Sequence, residues 1–186
     1  MANRPCVLLL VLAGMRASVA AAQEKPPRTY GNLRVGATAE GYGGRAEICG
    51  EVSPIAPLSF EACGDGSQLM HTASAAAMMH VMAKLRLASW RMRAGWLEPR
   101  IGLGIAELEQ GEDELGFNFR SAGLRGESTT GPEGTVALRA LLPAWRQWEA
   151  VLELRASLAW LPHAPELARP MSRAQPSVGF SAGIGF

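Results

Sequence analysis

Cys49 and Cys63 are the residues best placed to form a covalent link, and both lie in the stretch CGEVSPIAPLSFEAC. Ala56 is midway between them, so a hairpin turn centred there makes the two cysteines direct cross-strand neighbours on one face of a sheet. Opposite residues of an antiparallel pair have Cα atoms about 4.5–5.5 Å apart, which a disulfide tolerates. We predict a disulfide worth about 3 kcal/mol on the loop-entropy model, with two buried free thiols as the alternative. Zinc would need further ligands nearby, so no metal site is predicted.

The three histidines, His71, His80 and His163, are the other candidates for chemistry. All three fall at or near the ends of predicted loops, and none has a serine or aspartate partner at a recognisable spacing. His71 could join Ser74 and Asp65 as a catalytic set, but a surface histidine in a polar loop is the favoured interpretation. We therefore expect no catalysis and no cofactor.

The acidic run ELEQGEDELGFNF carries five carboxylates, on Glu107, Glu109, Glu112, Asp113 and Glu114. Such a cluster could hold calcium together with phosphate groups, but it lacks the alternate-residue ligand spacing of a calcium-binding loop. The favoured interpretation is a solvated acidic loop. No G-x-G-x-x-G motif leads into a helix, so nucleotide binding is not indicated.

Most of the chain that must position these residues alternates apolar and polar side chains with a period of two, the pattern of β-strands. The clearest example is WEAVLELRASLAW, in which every even position from Trp148 to Trp160 is apolar. Residues 72–79 could instead form a helix, because they are rich in helix formers. Eight segments follow the strand pattern: 32–40, 45–52, 58–65, 80–88, 96–106, 135–142, 148–160 and 177–186.

The connections between these segments differ in length on the two sides. SPIAP, MRAGW and PAWRQ are short turns, whereas the connections at 66–77, 108–131 and 162–174 on the other side are long; the first one there, GYGGR, is short. Short turns on one side and long loops on the other are typical of transmembrane β-barrels. The sequence therefore predicts an all-β fold, a closed up-and-down antiparallel transmembrane barrel of eight strands.

The two faces of the strands differ in charge. The bulky apolar face has no ionised residue in the central part of any segment. An arginine facing lipid costs about 2–4 kcal/mol at the midplane of a bilayer, which favours placing this face outside. The opposite face is predicted to fill the interior with a network of ion pairs. Its members are Arg34, Arg45, Lys84, Arg86, Arg100, Arg139 and Arg155, with Glu40, Glu47, Glu51, Glu61, Asp65, Glu98, Glu149 and Glu153.

The start of the sequence has the layout of a secretory signal peptide, with Arg4, an apolar run over 6–14 and small residues at 18, 20 and 22. The predicted organisation is a cleaved signal peptide over 1–22, a short periplasmic segment over 23–31 and the barrel over 32–186. Export through an oxidising periplasm is compatible with the disulfide. Charge is nearly balanced, with 18 basic and 17 acidic residues, so no nucleic-acid partner is expected.

Aromatic residues mark the ends of several segments. Trp148 and Trp160 bracket the seventh segment at its two ends, where aromatic girdles sit. Trp96 and Trp145 lie near short turns, and the sequence closes with GFSAGIGF. These features resemble the small eight-stranded outer-membrane β-barrel proteins of Gram-negative bacteria. The resemblance implies an outer-membrane location among lipids and lipopolysaccharide, and it makes Phe186 a signal for the outer-membrane insertion machinery.

The expected role is that of a monomeric structural or binding module whose three long loops carry recognition. An interior filled by ion pairs leaves no open pore. Two alternatives stay open. One is a narrow outer-membrane channel, if the interior charges leave a path for water. The other is a secreted soluble barrel of the lipocalin kind, with its apolar face turned inward around a ligand.

Overall fold

The computed structural model describes residues 29–41, 43–65, 76–110, 117, 119 and 128–186. The predicted signal peptide and most of the segment 23–31 lie outside these residues. No helix in the described chain is long and apolar enough to cross a bilayer. Besides a 3₁₀ helix at Ala164–Glu166, the elements are the strands β1 (Gly31–Glu40), β2 (Gly43–Ile55), β3 (Leu58–Asp65), β4 (Ala77–Arg86), β5 (Trp90–Met92), β6 (Gly95–Glu109), β7 (Ser128–Trp145), β8 (Trp148–Trp160) and β9 (Ala174–Gly185).

The strands form one closed antiparallel sheet. Consecutive strands pair from β1 to β4 and from β5 to β9, β1 pairs with β9, and β4 pairs with β6. β5 pairs with the first residues of β6, beside the stretch of β6 that pairs with β4, so β4 and β5 occupy one position in the ring. The prediction of a closed eight-stranded up-and-down barrel is confirmed.

The fourth position of the ring differs from its predicted form. Residues 87–89 interrupt the predicted strand 80–88, so the chain forms β4 and the short β5 there. β4 begins at Ala77, which pairs with Glu109 of β6. The helix considered for 72–79 is therefore wrong at residues 77–79, because sheet pairing overrides helix propensity; residues 72–75 lie outside the described chain.

The two ends of the barrel carry different connections. Tight turns at 56–57, 93–94 and 146–147 lie at one end, together with the start of β1 and the end of β9, and we call this the turn end. The longer connections lie at the opposite, loop end. There β6 continues to Glu109 and β7 starts at Ser128, and this pairing shortens the connection predicted at 108–131.

Side chains alternate between the two faces along most of the wall. The outward positions are mostly apolar and exposed, whereas the inward positions in the middle of the barrel are mostly polar or charged and buried. This orientation agrees with the predicted faces. Exposed outward residues include Leu33, Val35, Ile48, Phe60, Leu103, Val136, Leu154, Leu158, Val178, Phe180 and Ile184.

The connection predicted at 162–174 folds back onto the barrel, although the sequence pattern suggested an exposed loop. Leu161, Ala164 and Leu167 are buried in one cluster with inward side chains of β4, β6 and β8. The backbone N–H of Met171 donates to the carbonyl oxygen of Ala164 at 3.0 Å, which turns the segment back on itself. We call Leu161, Ala164 and Leu167 the loop-end plug, because they fill the interior at that end.

The turn end has its own apolar layer, formed by Trp96, Leu141 and Val151. Trp96 lies near a short turn, as predicted, but it is one of the buried, inward residues of β6. Trp148 and Trp160 are exposed at the two ends of β8, and Trp145 is exposed at the turn end. Because Trp96 occupies an inward position near the start of β6, its indole packs inside the barrel and does not contact the surroundings.

Candidate functional site

Arg139 of β7 is the centre of the interior network and is fully buried. Its Nη1 donates to Glu51 Oε1 of β2 at 2.6 Å, and its Nε donates to Glu153 Oε2 of β8 at 2.8 Å. Arg139 thus links the neighbouring strand β8 to β2 across the barrel. Three carboxylates converge here, because Glu61 of β3 lies within 4.8 Å of the other two.

Arg34 of β1 and Lys84 of β4 neutralise the same carboxylates from the other side. Arg34 Nη1 lies 2.7 Å from Glu153 Oε1, and Arg34 also contacts Glu61. Lys84 Nζ donates to Glu153 Oε1 at 2.7 Å and contacts Glu61 as well. Because each carboxylate has several cationic partners, the cluster is a set of shared ion pairs, as a buried charge requires.

Toward the turn end, the network continues through Arg100 of β6. Its Nη1 donates to Glu51 Oε1 at 2.8 Å and to Ser59 Oγ at 3.0 Å, and its Nη2 donates to Glu98 Oε2 at 3.0 Å. Glu98 also accepts from Arg86 Nη1 at 2.7 Å. Glu149 was predicted to belong to the network because it lies on the polar face of its strand. The structure places it at the turn end, where it accepts a hydrogen bond from the hydroxyl of Thr29.

Cys49 of β2 and Cys63 of β3 are paired across the hairpin and form a disulfide that points into the barrel. The two residues are buried, and Arg155 Nη1 lies 3.2 Å from Cys63 Sγ. Arg155 of β8 also contacts Glu47 of β2. The disulfide therefore lies beside an ion pair that connects opposite walls.

Thiol counting tests this linkage directly. Protein unfolded without reductant is expected to show no reactive thiol on residues 49 and 63, and reduction should expose two. The reason is that a bond between directly opposed cysteines survives unfolding as long as no reductant is present. A Cys49→Ala variant should expose one thiol under both conditions, which calibrates the assay, and two free thiols without reductant would contradict the disulfide.

A third group of charges lies nearer the loop end, and sequence reasoning missed its centre. His80 of β4 is buried, although it was predicted to lie near a loop end and to have no serine or aspartate partner. Its Nδ1 lies 2.7 Å from Glu133 Oε2 of β7, and its Nε2 lies 4.0 Å from Glu40 Oε1 of β1. Arg45 and Asp65 lie in the same region, with Arg45 Nε 3.9 Å from Asp65 Oδ2.

Glu133 was missed because the predicted strand began at Thr135, two residues too late. Alternation does extend back to Glu133, but Gly131, Pro132 and Gly134 around it are weak strand formers and obscured the pattern. With Glu133, the described inward positions carry nine carboxylates against seven basic groups, the eight predicted carboxylates being among them.

Other predicted residues have the following places. Phe186 is exposed at the turn end, its ring lies 5.7 Å from that of Trp148, and its backbone N–H donates to Gly31 O at 3.0 Å. Asp65 lies in the barrel wall and accepts from the backbone N–H of Met78 at 3.1 Å. The remaining members of the proposed catalytic set, at 71 and 74, and the acidic residues 112–114 lie outside the described residues.

Comparisons with known proteins find similarity at the level of structure. No family model and no curated protein sequence matches it. Among solved structures, it is similar to the crystal structure of the N-terminal β-barrel domain of Pseudomonas aeruginosa OprF, with a TM-score of 0.49 and 9% sequence identity. That similarity covers 86% of this chain and 98% of the other. In the described chain, the closed ring of eight strand positions is mainly apolar outside and charged within.

Proposed function

We propose that this protein is an outer-membrane barrel that acts as a structural or binding module, with its loop end outside the cell and its turn end in the periplasm. Recognition lies in the connections at the loop end, because loops on a rigid scaffold carry variable contacts. The barrel acts as a monomer surrounded by phospholipid and lipopolysaccharide, after assembly by the outer-membrane insertion machinery.

The observation that carries this proposal is the inverted polarity of the wall. Leu154, Val136 and Phe180 are among many large apolar side chains exposed on the outside, whereas Arg139 and Lys84 are completely buried inside. Soluble proteins rarely expose a continuous apolar surface around their whole circumference. A hydrocarbon environment removes the penalty, because the outward side chains then contact lipid.

The packing of the interior argues against both alternatives. A lipocalin-like carrier needs an apolar cavity inside the barrel, but the described interior is filled by ion pairs in the middle and apolar layers at both ends. A cavity of about 40 Å³ near Arg86, Glu98 and Pro57 at the turn end has room for little more than water. The same packing gives the narrow channel less support than a closed module.

Membrane fractionation of cells that express the full chain is the direct test. We expect the protein in the outer-membrane fraction, and we expect its unheated form in detergent to migrate differently from its boiled form, because a closed barrel resists unfolding by detergent. A soluble periplasmic protein, run both boiled and unheated, serves as the control for loading and lysis. Recovery in the soluble periplasmic fraction without a heat-dependent shift would overturn the proposal.

A further inference from the structure

The turn-end rim combines exposed arginines with exposed tryptophans. Arg93 lies in the turn between β5 and β6, and Arg146 lies in the turn between β7 and β8. These two hairpins are adjacent, because β6 pairs with β7. Both arginines are exposed, and so are Trp90 and Trp145 beside them. We call Arg93, Arg146, Trp90 and Trp145 the turn-end rim.

Arg146 is held in an unusual conformation at this rim. Its φ is 51°, in the left-handed region that glycine, asparagine and aspartate adopt at a lower cost than arginine. Its guanidinium carbon lies 5.7 Å from the centre of the Trp145 ring, within cation–π range. A long cationic side chain in a position that favours small residues points to a requirement for charge.

The charges exposed in the tight turns at this end are all positive. Glu98 and Glu149 are the acidic side chains nearest the turn end among the described residues, and both are buried with partners inside the barrel. The exposed charged side chains described in the tight turns are arginines. The rim therefore presents a cationic surface at the level where tryptophans sit in a membrane interface.

We propose that the turn-end rim binds the phosphate groups of anionic phospholipids in the leaflet that surrounds it. The inference deepens the proposed outer-membrane function and rests on it. A guanidinium matches phosphate oxygens with paired N–H donors, and indole rings lie at the depth of the headgroups. The partner is thus the lipid headgroup itself, and its recognition depends on negative charge in addition to apolar contact.

The sequence offers a clean optical test of this site. The chain has five tryptophans, and Trp160 is the one at the loop end. In a Trp160→Phe background, the exposed Trp90, Trp145 and Trp148 report on lipid at the turn end, and the buried Trp96 adds a constant background. The protein is inserted into phosphatidylcholine vesicles containing a small fraction of brominated phosphatidylglycerol or of brominated phosphatidylcholine, and quenching of tryptophan fluorescence measures the lipid in contact with the rim.

We expect a relative binding constant for phosphatidylglycerol at least about five-fold above that for phosphatidylcholine, the factor that one basic residue near an anionic surface provides. Arg93→Gln with Arg146→Gln should reduce the ratio to near one, and salt should lower it in the unsubstituted protein. The matched control, Arg169→Gln with Arg173→Gln, removes two charges from the loop end and should leave the ratio unchanged.

The outcomes separate this inference from the proposed function. Insertion with equal quenching by the two lipids would overturn the proposed lipid binding by the rim. A preference for phosphatidylglycerol that survives in the Arg93→Gln, Arg146→Gln variant would overturn it as well. Quenching by neither lipid, with a protein that folds but stays in solution, would overturn the membrane location on which the rim depends. Insertion of each variant is checked first by its heat-dependent gel migration.

Discussion

Arg139→Met is expected to lower the free energy of unfolding of the barrel by about 3–5 kcal/mol, the usual effect of removing one partner from a buried ion pair. Methionine keeps much of the volume of the side chain but no charge. Glu51 and Glu153 would each lose their guanidinium contact while remaining buried among the other charges. The interior, already richer in carboxylates, would gain another unmatched one.

Reversible urea unfolding in phospholipid vesicles, followed by tryptophan fluorescence, measures this effect. Arg173→Met, which removes an exposed guanidinium at the loop end, should stay within about 0.5 kcal/mol of the original protein. Adding Glu51→Gln to Arg139→Met restores the balance of charge and should recover part of the loss. An Arg139→Met barrel as stable as the Arg173→Met control would show that the network does not stabilise the fold.

Leu154→Arg is the second large expected effect, and it tests the outside of the barrel. Leu154 lies six residues from Trp148 and six from Trp160, at the middle of β8, and its side chain is 52% exposed. In a bilayer, an arginine at the midplane should reduce stability by about 2–4 kcal/mol. On a water-exposed surface, the same change should cost no more than about 0.5 kcal/mol.

Gln147→Arg is the matched control, because it adds the same side chain in the exposed turn between β7 and β8. Near the interface, the cost of an arginine falls to between about 0 and 1 kcal/mol. Both variants are compared by urea unfolding in vesicles of the same lipid. Equal stability of the two variants would contradict a lipid-facing position for Leu154 and would remove the main support for the membrane orientation.

Period-two alternation was sufficient to assign most side chains to a face. It predicted that Glu51, Arg139 and Glu153 point inward, because a residue's face depends only on whether its position is odd or even within its strand. It could not predict which of them meet. Arg139 and Glu51 are 88 residues apart in sequence, and their contact depends on the stagger of strands across the barrel, which local patterns do not contain.

The ends of the strands were harder to predict for a different physical reason. Alternation weakens there, so His80, the first residue of its predicted strand, was interpreted as lying near a loop end, and the inward position of Trp96 was not recognised. The apolar residues Leu161 and Leu167 follow no period-two pattern, because they fill the barrel mouth from a segment outside the strands. Their burial is a consequence of the closed ring and is visible only once the ring exists.

The ion pairs that cross the barrel also constrain the order of assembly. The β2–β3 hairpin carries four inward carboxylates, Glu47, Glu51, Glu61 and Asp65, against the single inward cation Arg45. The other basic side chains that pair with these carboxylates come from β1, β4, β6, β7 and β8. In the proposed membrane, an isolated hairpin would therefore carry uncompensated negative charge into hydrocarbon, so the strands would have to meet before they are exposed to lipid. Folding of this barrel should be cooperative, with neutralisation and closure occurring in the same step.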